Sequence, residues 1–310
     1  MSSNIVQIDG DYLLHCYASI AQHMWYNVRY ADGGLAQRFE SWEDVRLHGY
    51  HKANNVVIEK DLEIKNFSLA SEGFDNVMEE ILKACGTSNF NLFLSGEGNF
   101  RYDIGTLKPY KWNRDEAMCG IYGRQYQPKP YYYQQLKDYV METNDVTTVD
   151  GMEADDAMVM AHLENQQFSI IASVDKDFNQ VHGRHFDIGS KWVKRTISKK
   201  EAKFFLYSQI LTGDSVDGIP GIFRMGEAKA SKVLAGATCE KELFYRCVEE
   251  WIKYAKKLGG TEEDGKGMMI ETAQLVYLLR STDIEKELSR WEPMMKKYER
   301  TKRNEKKTTN

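Results

Sequence analysis

Short apolar runs rich in β-branched and aromatic residues end in acidic residues and alternate with longer stretches of helical periodicity. That alternation is how an open α/β sheet reads. "NIVQID" ends at Asp9, and "NLFLSGEG" places Ser95 and Glu97 just past a strand. "VTTVDGMEADD" ends in Glu153, Asp155 and Asp156, and "FSIIASVDKD" ends in Asp175 and Asp177. In open α/β sheets functional groups gather at the carboxyl ends of the strands, and here those ends supply mostly carboxylates. The expected fold is a mixed, mainly parallel sheet flanked by helices.

A chain of 310 residues, 42% of them apolar, can fill one large domain with a smaller one appended. The five cysteines are odd in number, scattered and form no Cys-x-x-Cys, so neither a disulfide framework nor a structural zinc site is indicated and a reducing cytoplasm fits best. No apolar run reaches membrane-spanning length, and "MSSNIVQIDG" lacks the basic and apolar segments of a secretion signal, so no membrane partner is expected. The net charge of −5 argues against a generic nucleic-acid coat. The stretch Lys296–Lys307 nevertheless carries seven basic and two acidic residues, and residues 292–310 read as a basic, disordered tail.

An Asp after a strand is usually a helix cap or a turn residue, so each cluster alone says little. Together they say more. Asp175 and Asp177 project to one side of an extended chain, Glu153 and Asp156 share a side at the start of a helix, and Asp214 and Asp217 in "TGDSVDGIPGI" do so if that stretch is helical. Carboxylates crowded at one edge raise one another's pKa unless cations neutralise them. An all-oxygen set with no obvious His partner points to Mg²⁺ or Mn²⁺ rather than zinc. The pairs His48/His51 and His182/His185 read as surface or satisfied histidines. Two such ions roughly 3.5–4 Å apart serve in-line displacement at phosphorus, which makes phosphodiester hydrolysis the leading chemistry.

Between these clusters, "FRYDIGTLKPYKWNRDE" interleaves Arg101, Lys108, Lys111 and Arg114 with Tyr102, Tyr110 and Trp112. Basic groups hold phosphates while aromatic faces stack on unpaired bases; the plainer alternative is an amphipathic helix laying its lysines over a core. Pro109, Pro128 and Pro130 break the stretch, so a partly ordered excursion is expected rather than one long helix.

At this point the chain resembles the 5′ nucleases of bacteriophages and of bacterial DNA polymerase I, a family that includes flap endonucleases and phage 5′-to-3′ exonucleases. The resemblance runs from Asp9 to about Leu234, and weakly on to "AQLVYLLR". It is carried by "QIDGD", "FR…YKWNR", "GMEADDAM", "SVDKDF" and "TGDSVDGIPGI…GEAKASKVL" in the family's order. It implies metal ligation by Asp9, Glu153, Asp155 and Asp156, with Asp175, Asp177, Asp214 and Asp217 around a second ion. It also implies a catalytic basic pair, Lys111 and Arg114, at the foot of a helical arch spanning about 101–140. "GIPGIFRMGEAKASKVL" resembles the family's helix-three-turn-helix, in which Gly218, Gly221 and Gly226 let backbone approach duplex phosphates, with Lys229 and Lys232 one turn apart on the helix that follows.

The resemblance divides the chain into a nuclease core at 1–202, a helical DNA-anchoring region at 203–291 and the tail. It implies Mg²⁺ or Mn²⁺ as two ions, with K⁺ as a further candidate at the helix-three-turn-helix. The implied partners are DNA with 5′ ends, flaps or nicks, and RNA–DNA hybrids, bound by a monomer in the cytoplasm of a host or phage-infected cell during replication or recombination. Two departures stand out. Ser95-Gly96-Glu97 replaces an aspartate that many members carry, leaving Glu97 or water to complete the first ion's shell, and Met24–Phe74 matches nothing in the family. Two rival readings stay open: a haloacid-dehalogenase-like phosphatase using Asp9 and Asp11, and a non-catalytic DNA-binding module.

Overall fold

The computed structural model describes residues 4–308. Its strands in chain order are β1 (Ile5–Asp9), β2 (Gln22–Tyr30), β3 (Leu35–Phe39), β4 (Val56–Ile64), β5 (Phe90–Ser95), β6 (Val146–Val149), β7 (Ser169–Ala172), β8 (Gly183–Asp187) and β9 (Val193–Ile197), followed by a two-residue pairing of Gly213–Asp214 with Ile219–Pro220. By packing, the chain divides into two units.

The larger unit comprises the residues up to Asp9, Cys85–Pro128 and everything from Thr147. Its sheet has the order β6-β5-β1-β7-β8-β9. The β1–β5, β1–β7 and β7–β8 pairs are parallel and β8–β9 is antiparallel. Central strands of such a sheet are covered on both faces and so read as continuous apolar runs, and every residue of β7 is buried. The helix Ala154–Glu164 packs on β1, β5 and β7, burying Met158 and Val159 against Phe93, Ile171 and Phe178. A second core lies among the helices Lys199–Thr212, Glu240–Lys257 and Glu262–Val276, around Tyr207, Phe244, Trp251 and Trp291.

Two expected boundaries are corrected. The division at 202/203 does not separate compact units, because the helix Lys199–Thr212 packs on the turn Lys176–Gln180 that follows β7, and Gln180 is hydrogen-bonded to Val276 O and Leu278 N. The tail is a helix, Glu292–Thr308, rather than disordered chain. Trp291 and Tyr298 are buried, Tyr298 meets Tyr245 edge-on, and Lys302 pairs with Glu249, so the segment has a face to dock. The last two tail residues, 309 and 310, lie outside the described residues. The stretch expected as an arch holds two short 3-10 turns, Phe100–Asp103 and Trp112–Arg114, and a six-residue helix, Glu116–Ile121, in this unit.

The smaller unit, Gly10–Ala84 with Lys129–Val146, contains the sequence that the resemblance left unmatched. β2 lies between β3 and β4 in an antiparallel sheet, with Val28, Phe39 and Val45 as its own small core. Cross-strand pairs Arg29–Glu59 and Arg38–Asp61 line it. The helices Gly10–Ile20 and Tyr133–Thr143 pack together. Among the described residues no helix is long and apolar enough to cross a membrane.

Arg101, 1% exposed, is the largest charged side chain buried in the larger unit. Its guanidinium grips Asp156 through two bonds of 2.7 and 2.9 Å and donates to Leu275 O and Tyr277 O. Removing one member of such a pair strands the other charge in a low dielectric. Arg101→Met is therefore expected to lower the unfolding free energy by about 3–5 kcal/mol, measured by urea denaturation; a loss below about 1 kcal/mol would show that the pair does not hold this unit together.

Candidate functional site

The register of the sheet brings the carboxyl ends of β1, β5 and β7 side by side: Asp9 lies opposite Phe93, and Ile8 opposite Ala172. Side chains leaving these strands therefore share one edge. Asp9 is 6% exposed and accepts a hydrogen bond from Ser173 Oγ at 2.7 Å. The same hydroxyl accepts from Asp175 N at 3.0 Å, and Asp175 accepts from Asp177 N at 2.7 Å as it opens the turn Lys176–Gln180. After β5, Ser95 Oγ accepts from Ala154 N at 3.1 Å, pinning the start of the helix that carries Asp155 and Asp156.

Asp214 ends the first strand of the small hairpin, opposite Ile219, and Asp217 sits in its turn, so neither is on a helix. Asp214, 2% exposed, accepts from Val216 N at 2.8 Å and pairs with Lys176 Nζ at 2.8 Å. Gln209 Nε2 donates to Asp177 at 2.6 Å. Asp217 accepts from Arg114 at 2.8 Å. The Tyr110 hydroxyl lies 3.1 Å from Glu153 and 3.2 Å from Asp217, and Lys111 Nζ bonds to Glu153 with Asp217 3.8 Å away. Asn99 Nδ2 donates to Glu153 at 3.0 Å.

The electrostatics split the cluster in two. Burial pushes Glu153 upward, but Lys111 and Arg101 outweigh it and hold its carboxyl below the usual range. Asp155 is held well above the ordinary aspartate value by burial and then by Asp9, Asp175 and Glu153. Asp177 is pushed up to about 8 by burial and by Asp175, Asp214 and Asp217, and burial also raises Asp175. Burial opposes the charge on Lys111, but Glu153 and Asp217 outweigh it and keep it cationic. Among the described residues no three His, Cys, Asp or Glu side chains converge tightly enough to hold an ion as they stand. The donor chemistry does fit one: all donors are oxygens, and the elevated carboxylates repel one another for want of positive charge, which a hard divalent cation supplies.

Several expected roles change. Asp156, expected as a metal ligand, is fully buried, and its oxygens are taken by Arg101, Leu279 N and Glu153 N, so here it anchors structure. Arg101, expected on DNA, is its buried partner. Gly218, with φ 71°, is covered by Trp112: a Cβ there would come within 2.6 Å of the indole Cδ1 and Nε1. A Cβ at Gly221 would collide with the backbone of Thr212 and Gly213, so both glycines admit protein rather than phosphate. Lys108 lies over the rings of Trp112 and Tyr122, half-buried. Gly226, Lys229 and Lys232 are exposed, and Gly226 opens the helix Glu227–Leu234. Glu97 is exposed, with its loop fixed by Asp150 Oδ1 accepting from Glu97 N at 2.8 Å. His185, read as a satisfied histidine, bonds to Val181 O.

Sequence reasoning missed Ser173, Lys176, Gln209 and Asn99. Lys176 stood between Asp175 and Asp177 and was legible as a counter-charge. Gln209 and Asn99 reach the cluster from distant segments, and nothing local marks them.

No family model matches the chain. Over 168 residues it is 30% identical to flap endonuclease Xni of Shewanella woodyi, an alignment covering 50% of this chain and 65% of that protein's length. Among solved structures, the flap endonuclease of bacteriophage T5, in a pseudo-enzyme-product complex with DNA and metal ions, is similar over 96% of this chain and 99% of that one, with a TM-score of 0.52 at 14% identity. The T5 5′-exonuclease with bound zinc ions is similar over 94% and 98% of the two chains, with a TM-score of 0.53 at 14% identity. The chain thus has the α/β fold of the T5 5′-exonuclease and, over half its length, sequence similarity to a flap endonuclease.

Proposed function

We propose that the chain is a divalent-metal-dependent 5′ nuclease that hydrolyses phosphodiester bonds at 5′ ends or flaps of DNA. One observation carries the reading: Asp9, Asp155, Asp175, Asp177, Asp214 and Asp217, with Glu153, gather at the carboxyl end of the sheet, faced by Lys111 and Arg114. The likeness to DNA- and metal-bound T5 structures supports it. The ions are Mg²⁺ or Mn²⁺, as two, with K⁺ a separate candidate near Gly226. RNA–DNA hybrids are included among the proposed substrates. A reducing cytoplasm fits the five free cysteines, and a monomer is proposed.

Asp9, Asp155, Asp175, Asp177, Asp214, Asp217 and Glu153 would hold the ions after side-chain rotation releases those now tied by Lys111, Lys176 and Gln209. When bound, the ions lower the pKa of water and stabilise the leaving oxygen. The chain's own part is to place charge. Lys111 and Arg114 now neutralise Glu153 and Asp217, and a scissile phosphate replaces those carboxylates as their anionic partner. Tyr110, 4% exposed, keeps Glu153 and Asp217 at fixed separation beside them.

Three outcomes test this. On flap and blunt duplexes labelled at either end, products should leave from 5′ ends only in Mg²⁺ and cease in EDTA, while DNA binding persists; cleavage from 3′ ends, or in EDTA, would refute it. Lys111→Ala should slow single-turnover cleavage by about 10²–10³-fold with flap affinity within about threefold, because charge on the phosphate grows in the transition state; equal losses in rate and affinity would move Lys111 to binding alone. Asp155→Asn should likewise cost about 10²-fold or more, whereas Glu97→Gln should stay within about threefold, with water completing the shell; a matching collapse of Glu97→Gln, rescued by added Mg²⁺, would make Glu97 a ligand.

A further inference from the structure

The segment Tyr110–Arg114 is docked on the hairpin turn by contacts that the chemistry above does not use. Lys111 N donates to Asp217 O at 2.9 Å, and Asn113 Nδ2 donates to Val216 O at 2.6 Å. Between them the Trp112 indole lies on Gly218, in space that any Cβ would occupy. Its Nε1 is buried with no hydrogen-bond partner, so packing alone seats the ring. The indole also meets the Tyr122 ring, 4.6 Å between centroids, and Lys108 Nζ, 5.1 Å from its centroid.

Lys111 itself is left-handed, with φ 51° and ψ 28°. A lysine holds that conformation only where its surroundings impose it. Here the imposing contacts are on the turn: with Trp112 seated on Gly218 and Lys111 N bonded to Asp217 O, the chain must reverse at Lys111. That reversal sends Nζ to Glu153 and Asp217 while the next side chain points onto the glycine.

We propose that Trp112, seated on Gly218, is a positioning residue that holds Lys111 in its left-handed conformation and so keeps its ammonium between Glu153 and Asp217. The seat joins the turn leading into the helix Glu227–Leu234 to the cation beside the carboxylates, so that moving one displaces the other. The kinetic arm of the test rests on the nuclease reading; the labelling arm does not.

Acetylation by an amine-reactive ester, without metal or DNA, is followed by peptide mapping of Lys111, with Lys266 as control because it is 8% exposed and paired to Glu299 at 3.0 Å. Trp112→Ala and Gly218→Ala should each raise Lys111 acetylation at least about fivefold, as local opening exposes the amine, with Lys266 unchanged and Trp112→Phe close to the native protein. In Mg²⁺, Trp112→Ala should slow single-turnover flap cleavage at least about tenfold with affinity in EDTA within about twofold, and the double variant should be no slower than Trp112→Ala because both changes remove one seat. Unchanged Lys111 acetylation in Trp112→Ala, or a parallel rise at Lys266, would overturn the proposal. Selective exposure of Lys111 in Trp112→Ala, when the native protein itself cleaves no 5′ end, would uphold the seat and reject the nuclease reading.

Discussion

The buried pair of Arg101 and Asp156 joins three segments distant in sequence: the turn after β5, the start of the helix Ala154–Glu164, and the chain at Leu275–Leu279. Desolvating both charges is costly, and it is offset only because every Asp156 oxygen and most of the guanidinium are hydrogen-bonded. Such a pair fixes geometry more than it adds stability. It determines where the neighbouring Glu153 and Asp155 emerge, and so the shape of the edge on which the candidate site is built.

At that edge charge is deliberately unbalanced. Asp155, Asp175 and Asp177 are raised by burial and by neighbouring carboxylates of the cluster, while Glu153, Asp214 and Asp217 are met by Lys111, Lys176 and Arg114. A fold tolerates like charges at this density only when its core is secure elsewhere, and the cluster around Trp251, Trp291 and Phe244 supplies that security in the same unit. Conflict between charges at a site and consistency in the core is the usual signature of function stored as local strain. The left-handed Lys111 belongs to the same pattern.

The smaller unit follows different rules. Its antiparallel sheet carries ion pairs on exposed strands and a core of only a few side chains. Its residues Met24–Phe74 were opaque to motif reading because they carry no clustered chemistry.

What the sequence determined by itself was the class of fold and the chemistry of one edge. Short continuous apolar runs closed by Asp and Glu specify buried parallel strands with carboxylates at their ends, since both properties are local. The division of labour among those carboxylates was decided by tertiary structure. Asp156 and Asp155 are adjacent and alike in sequence, yet one faces Arg101 and the other faces Asp9, a difference set by partners far along the chain. Gly218 and Gly221 looked like openings for phosphate; Trp112 and the Thr212 backbone fill them, because a missing side chain states only that something approaches, and packing decides what. The basic tail looked solvated by composition, and became a helix because Tyr298 and Lys302 find Tyr245 and Glu249 on a helix whose position no local pattern encodes.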